Sequence, residues 1–434
     1  MKTNKLTLCI MAGMLLGIAV GYACNASAPN ADAAKEIAGY FNIVTDIFLR
    51  LIKMIIGPLV FATLVSGIAG MGDSKAVGRI GLKAMLWFLC ASLASLFIGM
   101  LFVDVLQPGH AMNLPLPAAG AATNLKTSSL NLKDFITHVF PKSFFDAMAQ
   151  NEILQILVFS VFFGFAAGSF KEQGGKTVLK FVDELGKIML RVTDYVMWFA
   201  PAGVFAAIAS VITVQGLGIL ITYGKFITGF YLALAVLWSV LFIGGYLVLR
   251  GRLFGLLKMI QEPTLLAFST ASSEAAYPKT LEQLKKFGVS DKISGFVLPL
   301  GYSFNLDGSM IYQAFAIIFV AQAFNIELSI TKQITILLVL MITSKGMAGV
   351  ARASLVVVAA TLPMFNLPEA GLLLIMGIDQ FLDMGRTATN VIGNSIATAV
   401  VAQWEGGLAP EGALEEGVVE EDDALLDLPV AAAE

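Results

Sequence analysis

Six long apolar runs fill most of the N-terminal part of the chain, at residues 6–24, 41–69, 82–106, 153–170, 188–214 and 219–249. A run of roughly 20 apolar residues is what a helix needs to cross the hydrocarbon of a bilayer, and a single soluble core could not hide so many. Composition says the same: 57% of the 434 residues are hydrophobic and 14% are charged, where soluble domains carry about a quarter. An all-α membrane protein is therefore expected, and a soluble enzyme, a collagen, a disordered chain and a disulfide scaffold are excluded. Three cysteines (Cys9, Cys24, Cys90) lack metal spacing and two histidines (His110, His138) cannot build a metal centre, so no cofactor is expected. No nucleic-acid partner is expected either.

Ten acidic residues fall in 405–434, and no lysine or arginine follows Arg386. The 28 bases thus stand against 21 acids in the remainder, a net of +7, and residues 405–434 read as an acidic, disordered tail. The N-terminal MKTNK and its apolar run resemble a secretory signal, but about 19 apolar residues exceed the usual 7–15 of such a signal, so an uncleaved first span is expected. Bases cluster after the second span (Lys75, Arg79, Lys83), the fourth (Lys171, Lys176, Lys180) and the sixth (Arg250, Arg252, Lys258), which marks these connections as cytoplasmic. An even number of spans returns the chain to the inside. Both termini are then expected to be cytoplasmic.

Beyond Arg252 the apolar stretches shorten and are broken by small polar residues. FSTASSEAAYP (268–278) lies between an apolar arm at 253–267 and the bases Lys279, Lys285, Lys286 and Lys292; TSKGMAGVARAS (343–354) lies between 334–342 and 355–365. Both read as re-entrant hairpins, entering from opposite sides. Each precedes an apolar helix interrupted by polar groups, at 296–323 (GYSFNLDGSMIYQ) and 371–402 (GIDQFLDMGRTATNVIGN). Hairpin plus broken helix, twice and inverted, is the pattern of transporters that bind their cargo near the bilayer midplane. The reading is eight transmembrane helices plus two re-entrant hairpins.

In the last helix Asp379, Asp383, Arg386, Thr387, Asn390 and Asn394 fall within about a 100° arc. Each ionisable group there costs about 2.5–3.5 kcal/mol at mid-membrane, so the charges must neutralise one another or meet water and ligand. Asp383 could accept an ammonium, Arg386 a carboxylate, with Thr387 and Asn390 as neutral partners; a purely structural salt bridge is the alternative. In the preceding broken helix Asn305, Asp307 and Ser309 surround Gly308, where unwinding would free carbonyls for a small cation. Ser272, Ser273 and Glu274 do not make a hydrolase, because neither hairpin holds a histidine and no lysine adjoins the serines. Interhelical packing by small polar residues is the alternative to a binding role for those serines.

Together, ASSEAAYP, GYSFNLDGSMIYQ, SKGMAGV and GIDQFLDMGRTATNVIGN resemble the dicarboxylate/amino acid:cation symporter family, the glutamate and aspartate transporters. The resemblance runs from the first span to Trp404. It implies a homotrimer working by an elevator motion, with a scaffold at 1–70 and 152–216, transport-domain helix 3 at 71–106, an extracytoplasmic loop at 107–151 and the rest of the transport domain at 217–404. It also implies that Ser273, with Ser272 beside it, and Asn390 hold a substrate α-carboxylate, that Asp383 holds its ammonium, and that Arg386 with Ser309 holds its side-chain carboxylate. Thr387 and the tip comprising Gly349, Val350, Arg352 and Ser354 would complete the enclosure.

Departures from the family pattern concern the coupling ions. Asn394 stands where sodium-coupled relatives have an aspartate, Ala91 where they have a threonine, and Leu306 where they have a methionine; Ser92, Gly301, Asn305, Asp307 and Asp379 remain as candidate ligands or proton sites. Gln313 replaces the glutamate of relatives coupled to both ions, which leaves Glu274, at the first hairpin tip, as the nearest carboxylate that could carry the proton; a solvated tip glutamate without a role is the alternative. Import of L-glutamate and L-aspartate with protons is thus expected. A proton-coupled C4-dicarboxylate carrier, a sodium-coupled amino-acid symporter and, remotely, an anion channel or a membrane enzyme are the alternatives.

Overall fold

The computed structural model describes residues 3–71, 74–111, 137, 139–170, 173–217, 223–344, 353–376 and 378–410. Among these the chain is helical and forms no β-strand beyond one isolated bridge, Val289 to Leu408. The first half comprises α1 (Thr3–Ser27), α2 (Ala31–Met71), α3 (Ser74–Leu106), α4 (Pro108–Ala111), α5 (Phe144–Gln150), α6 (Ile153–Ser169), α7 (Gln173–Met197), α8 (Ala200–Gln215) and α9 (Gly224–Leu249). The apolar runs become these helices because lipid cannot satisfy backbone N–H and C=O groups, which must bond within the segment. α6, at 17 residues, is about 25 Å long and near the short limit for a span.

The fifth run departs from expectation. Instead of one helix over 188–214, the amphipathic α7 begins at Gln173 and bends by 55° into α8. Pro201, near the start of α8, cannot donate to the preceding turn, so it favours a new helix over continuation. The charges of α7 (Lys176, Lys180, Asp183, Glu184, Lys187, Arg191) suit water and the membrane surface rather than its core.

The first hairpin descends through α10 (Arg252–Met259) and α11 (Gln261–Thr270), reverses at Ala271 with φ of 49°, and returns as α12 (Ser273–Lys286). Its break is narrower than the polar sequence suggested: Ser272 accepts a hydrogen bond from the Ala275 N–H at 3.3 Å and caps α12, so helix resumes at Ser273. α13 (Asp291–Phe304) and α14 (Asp307–Ala323) form the broken helix. Here the interruption is at Asn305 and Leu306, not around Gly308, which is already helical. Gly308 has a different task, because a Cβ there would stand 2.0 Å from the Arg386 carbonyl oxygen. Only a hydrogen lets α14 approach the last helix that closely.

α15 (Ile330–Thr343) and α16 (Ala353–Thr361) are the arms of the second hairpin. Its tip, with Gly349, Val350 and Arg352, lies outside the described residues. Two 3₁₀ turns and the short α17 (Leu372–Met376) lead to α18 (Asp379–Trp404). α18 is encased by α3, α9, α11, α12, α13 and α14, so its polar stripe faces protein rather than lipid. A second group forms around α2, which packs against α6, α7 and α8, while α1 lies along α8. α12 and α13 lean on α2 and join the two groups.

The acidic tail begins later than residue 405. Glu405 accepts from Arg79 Nε and Nη2 (2.7 Å to the latter) and pairs with Lys83 Nζ at 2.6 Å, while Gly407 and Ala409 exchange backbone bonds with Ser290 and Gly288. Arg252 donates to the Ala409 carbonyl at 2.7 Å. Residues 405–409 thereby strap α18 to α3 and to the foot of the first hairpin; 411–434 lie outside the described residues. The Arg79 and Lys83 donors hold the Glu405 carboxyl below its ordinary pKa, so its stabilisation is complete above about pH 4.5 and fades as pH falls through the lower folded value. Glu405→Gln is accordingly expected to cost about 1 kcal/mol at neutral pH. Thermal unfolding in detergent should show that difference vanishing toward acid pH; a pH-independent difference would deny the ion pairs their role.

Candidate binding site

Two interruptions converge on the middle of α18: the tip of the first hairpin and the Asn305–Leu306 break. The ionisable centre is a trio. Arg386 donates through Nε to Asp383 Oδ1 at 2.7 Å and through Nη1 to Asp379 Oδ1 at 2.9 Å. Thr387 adds a hydroxyl donor to Asp383 Oδ1 at 3.1 Å. Tyr312, on α14, donates to Asp379 Oδ1 at 2.9 Å and lays its ring 4.3 Å from the Arg386 guanidinium. Arg386 is 2% exposed and Asp379 1%, whereas Asp383 is 14% exposed. Asp383 is thus the member of the trio that a ligand can reach.

Helix geometry explains the arrangement. Asp379, Asp383 and Arg386 sit at successive turns of one face of α18, so one guanidinium can bridge the two carboxylates. Tyr231 of α9 donates to the Phe381 carbonyl at 2.6 Å and Trp238 to Thr389 Oγ1 at 2.8 Å, which fixes the rotation of α18 against α9. The trio carries a formal charge of −1. Within it the guanidinium stays charged and is compensated by the two carboxylates.

One turn further along α18, Asn390 accepts the Gly308 N–H at 2.8 Å and donates to Ser309 Oγ at 3.3 Å. Asn305 Nδ2 bridges Asp307 Oδ2 at 3.1 Å and Asn394 Oδ1 at 3.2 Å. Asn305 Oδ1 is buried with no hydrogen-bond partner, an oxygen available to a cation. The Gly301 carbonyl accepts the Asn305 N–H at 2.7 Å and retains one lone pair. Asn394 Oδ1 occupies the place where a side chain on residue 301 would stand, and Phe88 of α3 touches the same spot. Ser92, one turn beyond Phe88, is fully buried, as is nearly all of Ala91.

Expected site residues are therefore gathered in three places. Asp379, Asp383, Arg386 and Thr387 form the trio and its support; Ser309 and Asn390 join α14 to α18; Asn305, Asp307, Asn394 and Gly301 form a second polar cluster. Asp379 belongs with Arg386 rather than with the Asn305 cluster. Ser273, at the hairpin tip, receives the Tyr302 hydroxyl on its carbonyl at 3.1 Å and leaves its side chain partly exposed, while Ser272 is spent as a helix cap and Ser354 is buried at the start of α16. Glu274 faces Lys53 of α2 at 3.8 Å. Tyr312, Tyr302, Tyr231 and Lys53 were not singled out from sequence; a tyrosine hydroxyl in an apolar helix is the signal that marks the first of them.

Residues 6–404 match the model of the sodium:dicarboxylate symporter family. A proton/sodium-glutamate symport protein of Geobacillus stearothermophilus is 40% identical over 403 residues, covering 92% of this chain and 94% of its own length. C4-dicarboxylate transport proteins are equally similar: that of Citrifermentans bemidjiense is 40% identical over 441 residues (98% and 99% of the two chains), and that of a Geobacter species 41% over 415 (94% and 93%). An all-α membrane fold with paired half-length arms, a broken helix and a buried charged face on the last helix accords with these matches across nearly the whole length. The chain belongs to the sodium:dicarboxylate symporter family and is a membrane transporter, not an enzyme.

Proposed function

We propose that the protein imports acidic amino acids, L-glutamate and L-aspartate, together with protons. The observation that carries this reading is the Asp379–Arg386–Asp383 trio with Asp383 at its open edge. An acidic amino acid brings an ammonium for Asp383 and a side-chain carboxylate for Arg386, so both members of the Asp383–Arg386 pair find a new partner as that pair opens. Succinate would satisfy Arg386 and leave Asp383 facing a second carboxylate. In competition against labelled glutamate uptake, aspartate should displace it strongly and succinate weakly. The reverse order would favour the C4-dicarboxylate reading that the Citrifermentans relative supports.

Proton coupling rests on charge. Asp307, Asp379 and Asp383 stand against the single guanidinium of Arg386, and an anionic substrate adds to the excess. Cations must enter with it. Sodium finds weak ligands, because residue 394 is an amide and Ala91 has no hydroxyl. Glu274, enclosed at the hairpin tip, is the proton site in this reading. Uptake driven by a pH gradient in sodium-free buffer should persist in the wild type and lose its pH dependence in Glu274→Gln; retained pH dependence would move the proton to Asp307 or Asp379.

The motion proposed is an elevator. Its support is the packing, in which α1, α2, α6, α7 and α8 form one group and α3, α9 to α16 and α18 another. The first group would be the fixed scaffold through which three copies assemble, with both termini cytoplasmic.

A further inference from the structure

The contact between Lys53 and Glu274 is used by nothing in the account above except as a neighbour of the proton site. Its placement is unusual. Lys53 Nζ lies 3.8 Å from Glu274 Oε2, with Lys53 47% exposed and Glu274 14%. Lys53 belongs to α2, Glu274 to the first turn of α12, so the pair spans the boundary between the two packing groups. From its own side the tip is steadied by Tyr302 of α13, whose hydroxyl bonds the Ser273 carbonyl. Glu152, preceding α6, is the other carboxylate close enough to act on Glu274.

Along α2 the sequence from 51 to 71, LIKMIIGPLVFATLVSGIAGM, holds one charged residue, Lys53. Ile52, Ile55, Ile56, Leu59 and Val60 around and beyond it are buried and apolar. An ionised Glu274 displaced along α2 toward Met71 would therefore leave its cation and pass Ile55, Ile56, Leu59 and Val60, with no second cation on that stretch, at the cost of an uncompensated, partly desolvated charge. A protonated Glu274 would not.

We propose that Lys53 is a positioning residue for transport, a latch that holds the first hairpin against α2 while Glu274 is ionised and releases it when Glu274 carries a proton. The latch rests on the elevator reading, and it turns proton loading into permission to move. Lys53 lies on α2, outside the polar clusters of α14 and α18. It acts through Glu274, and its loss should uncouple movement from the proton rather than abolish binding.

Thr63 provides the readout. It lies on α2 beneath α13, its carbonyl 2.5 Å from where a Cβ on Gly295 would stand, so it is covered in the arrangement seen here. In full-length protein with Cys9, Cys24 and Cys90 replaced by serine, Thr63→Cys is labelled by a water-soluble methanethiosulfonate in proteoliposomes. Lys53→Met and Glu274→Gln should each raise the labelling rate about fivefold, the effect of losing an ion pair worth up to about 1 kcal/mol. The double variant should rise no further than either single one, and the swap Lys53→Glu with Glu274→Lys should return to within about twofold of the starting rate. Additive effects, or a Lys53→Met rate equal to that of the parent, would overturn the latch. If labelling in the parent ignores both glutamate and an imposed pH gradient, the hairpin does not move against α2, and the elevator reading falls with the latch; if labelling responds and Lys53→Met is silent, the latch alone falls.

Discussion

Asp383→Asn should lower glutamate and aspartate affinity by about two to four orders of magnitude while leaving any residual succinate uptake unharmed. A buried ammonium deprived of its charged partner loses roughly 3–5 kcal/mol, which sets that scale. The asymmetry between substrates is the diagnostic part. In the wild type the trio nets −1 and repels a dianion; with asparagine it is neutral, so a dicarboxylate no longer meets a carboxylate at the open edge of the site. Arg386 keeps its bond to Asp379 at 2.9 Å, so the variant retains a paired guanidinium. Equilibrium binding by calorimetry, with glutamate and succinate on both proteins, separates the two effects. A parallel loss for both ligands would mean that Asp383 supports the fold of the site rather than the ammonium.

Arg386→Cys should weaken glutamate by about two orders of magnitude or more and admit small neutral amino acids such as serine and alanine. The 2% exposed guanidinium is the counter-charge of Asp379 and Asp383, and without it one of the two carboxylates must take up a proton. A neutral amino acid then fits better than an acidic one, because nothing remains to pair the side-chain carboxylate of the acidic one. Uptake of labelled serine against labelled glutamate checks this directly, with elution as a single folded species as the control. Wild-type glutamate affinity in Arg386→Cys would transfer the carboxylate role to Arg352.

Much of this architecture was legible in the sequence because apolar length reports on helix formation in lipid without reference to tertiary contacts. The hairpins and the polar stripe of α18 were legible for the same reason: charge in an apolar helix is conspicuous. Boundaries that depend on a local cap were less so. Ser272 capping α12 restores helix earlier than the polar run 268–278 suggests, and Pro201 breaks a run that hydropathy alone joins. The break in α13–α14 was displaced to Asn305 because Gly308 serves close approach to Arg386 rather than a turn. Lys53 and Tyr312 could not be paired with Glu274 and Arg386 by spacing, since those pairs are made between elements distant in the chain.

The central claim is proton-driven import of acidic amino acids, and one measurement meets it most directly: accumulation of labelled L-aspartate and L-glutamate in proteoliposomes under separately imposed pH and sodium gradients. Inward-directed protons in sodium-free buffer should concentrate both amino acids above the external level, and a sodium gradient at equal pH should not. Strict dependence on sodium, or concentration of succinate in preference to either amino acid, would contradict the account.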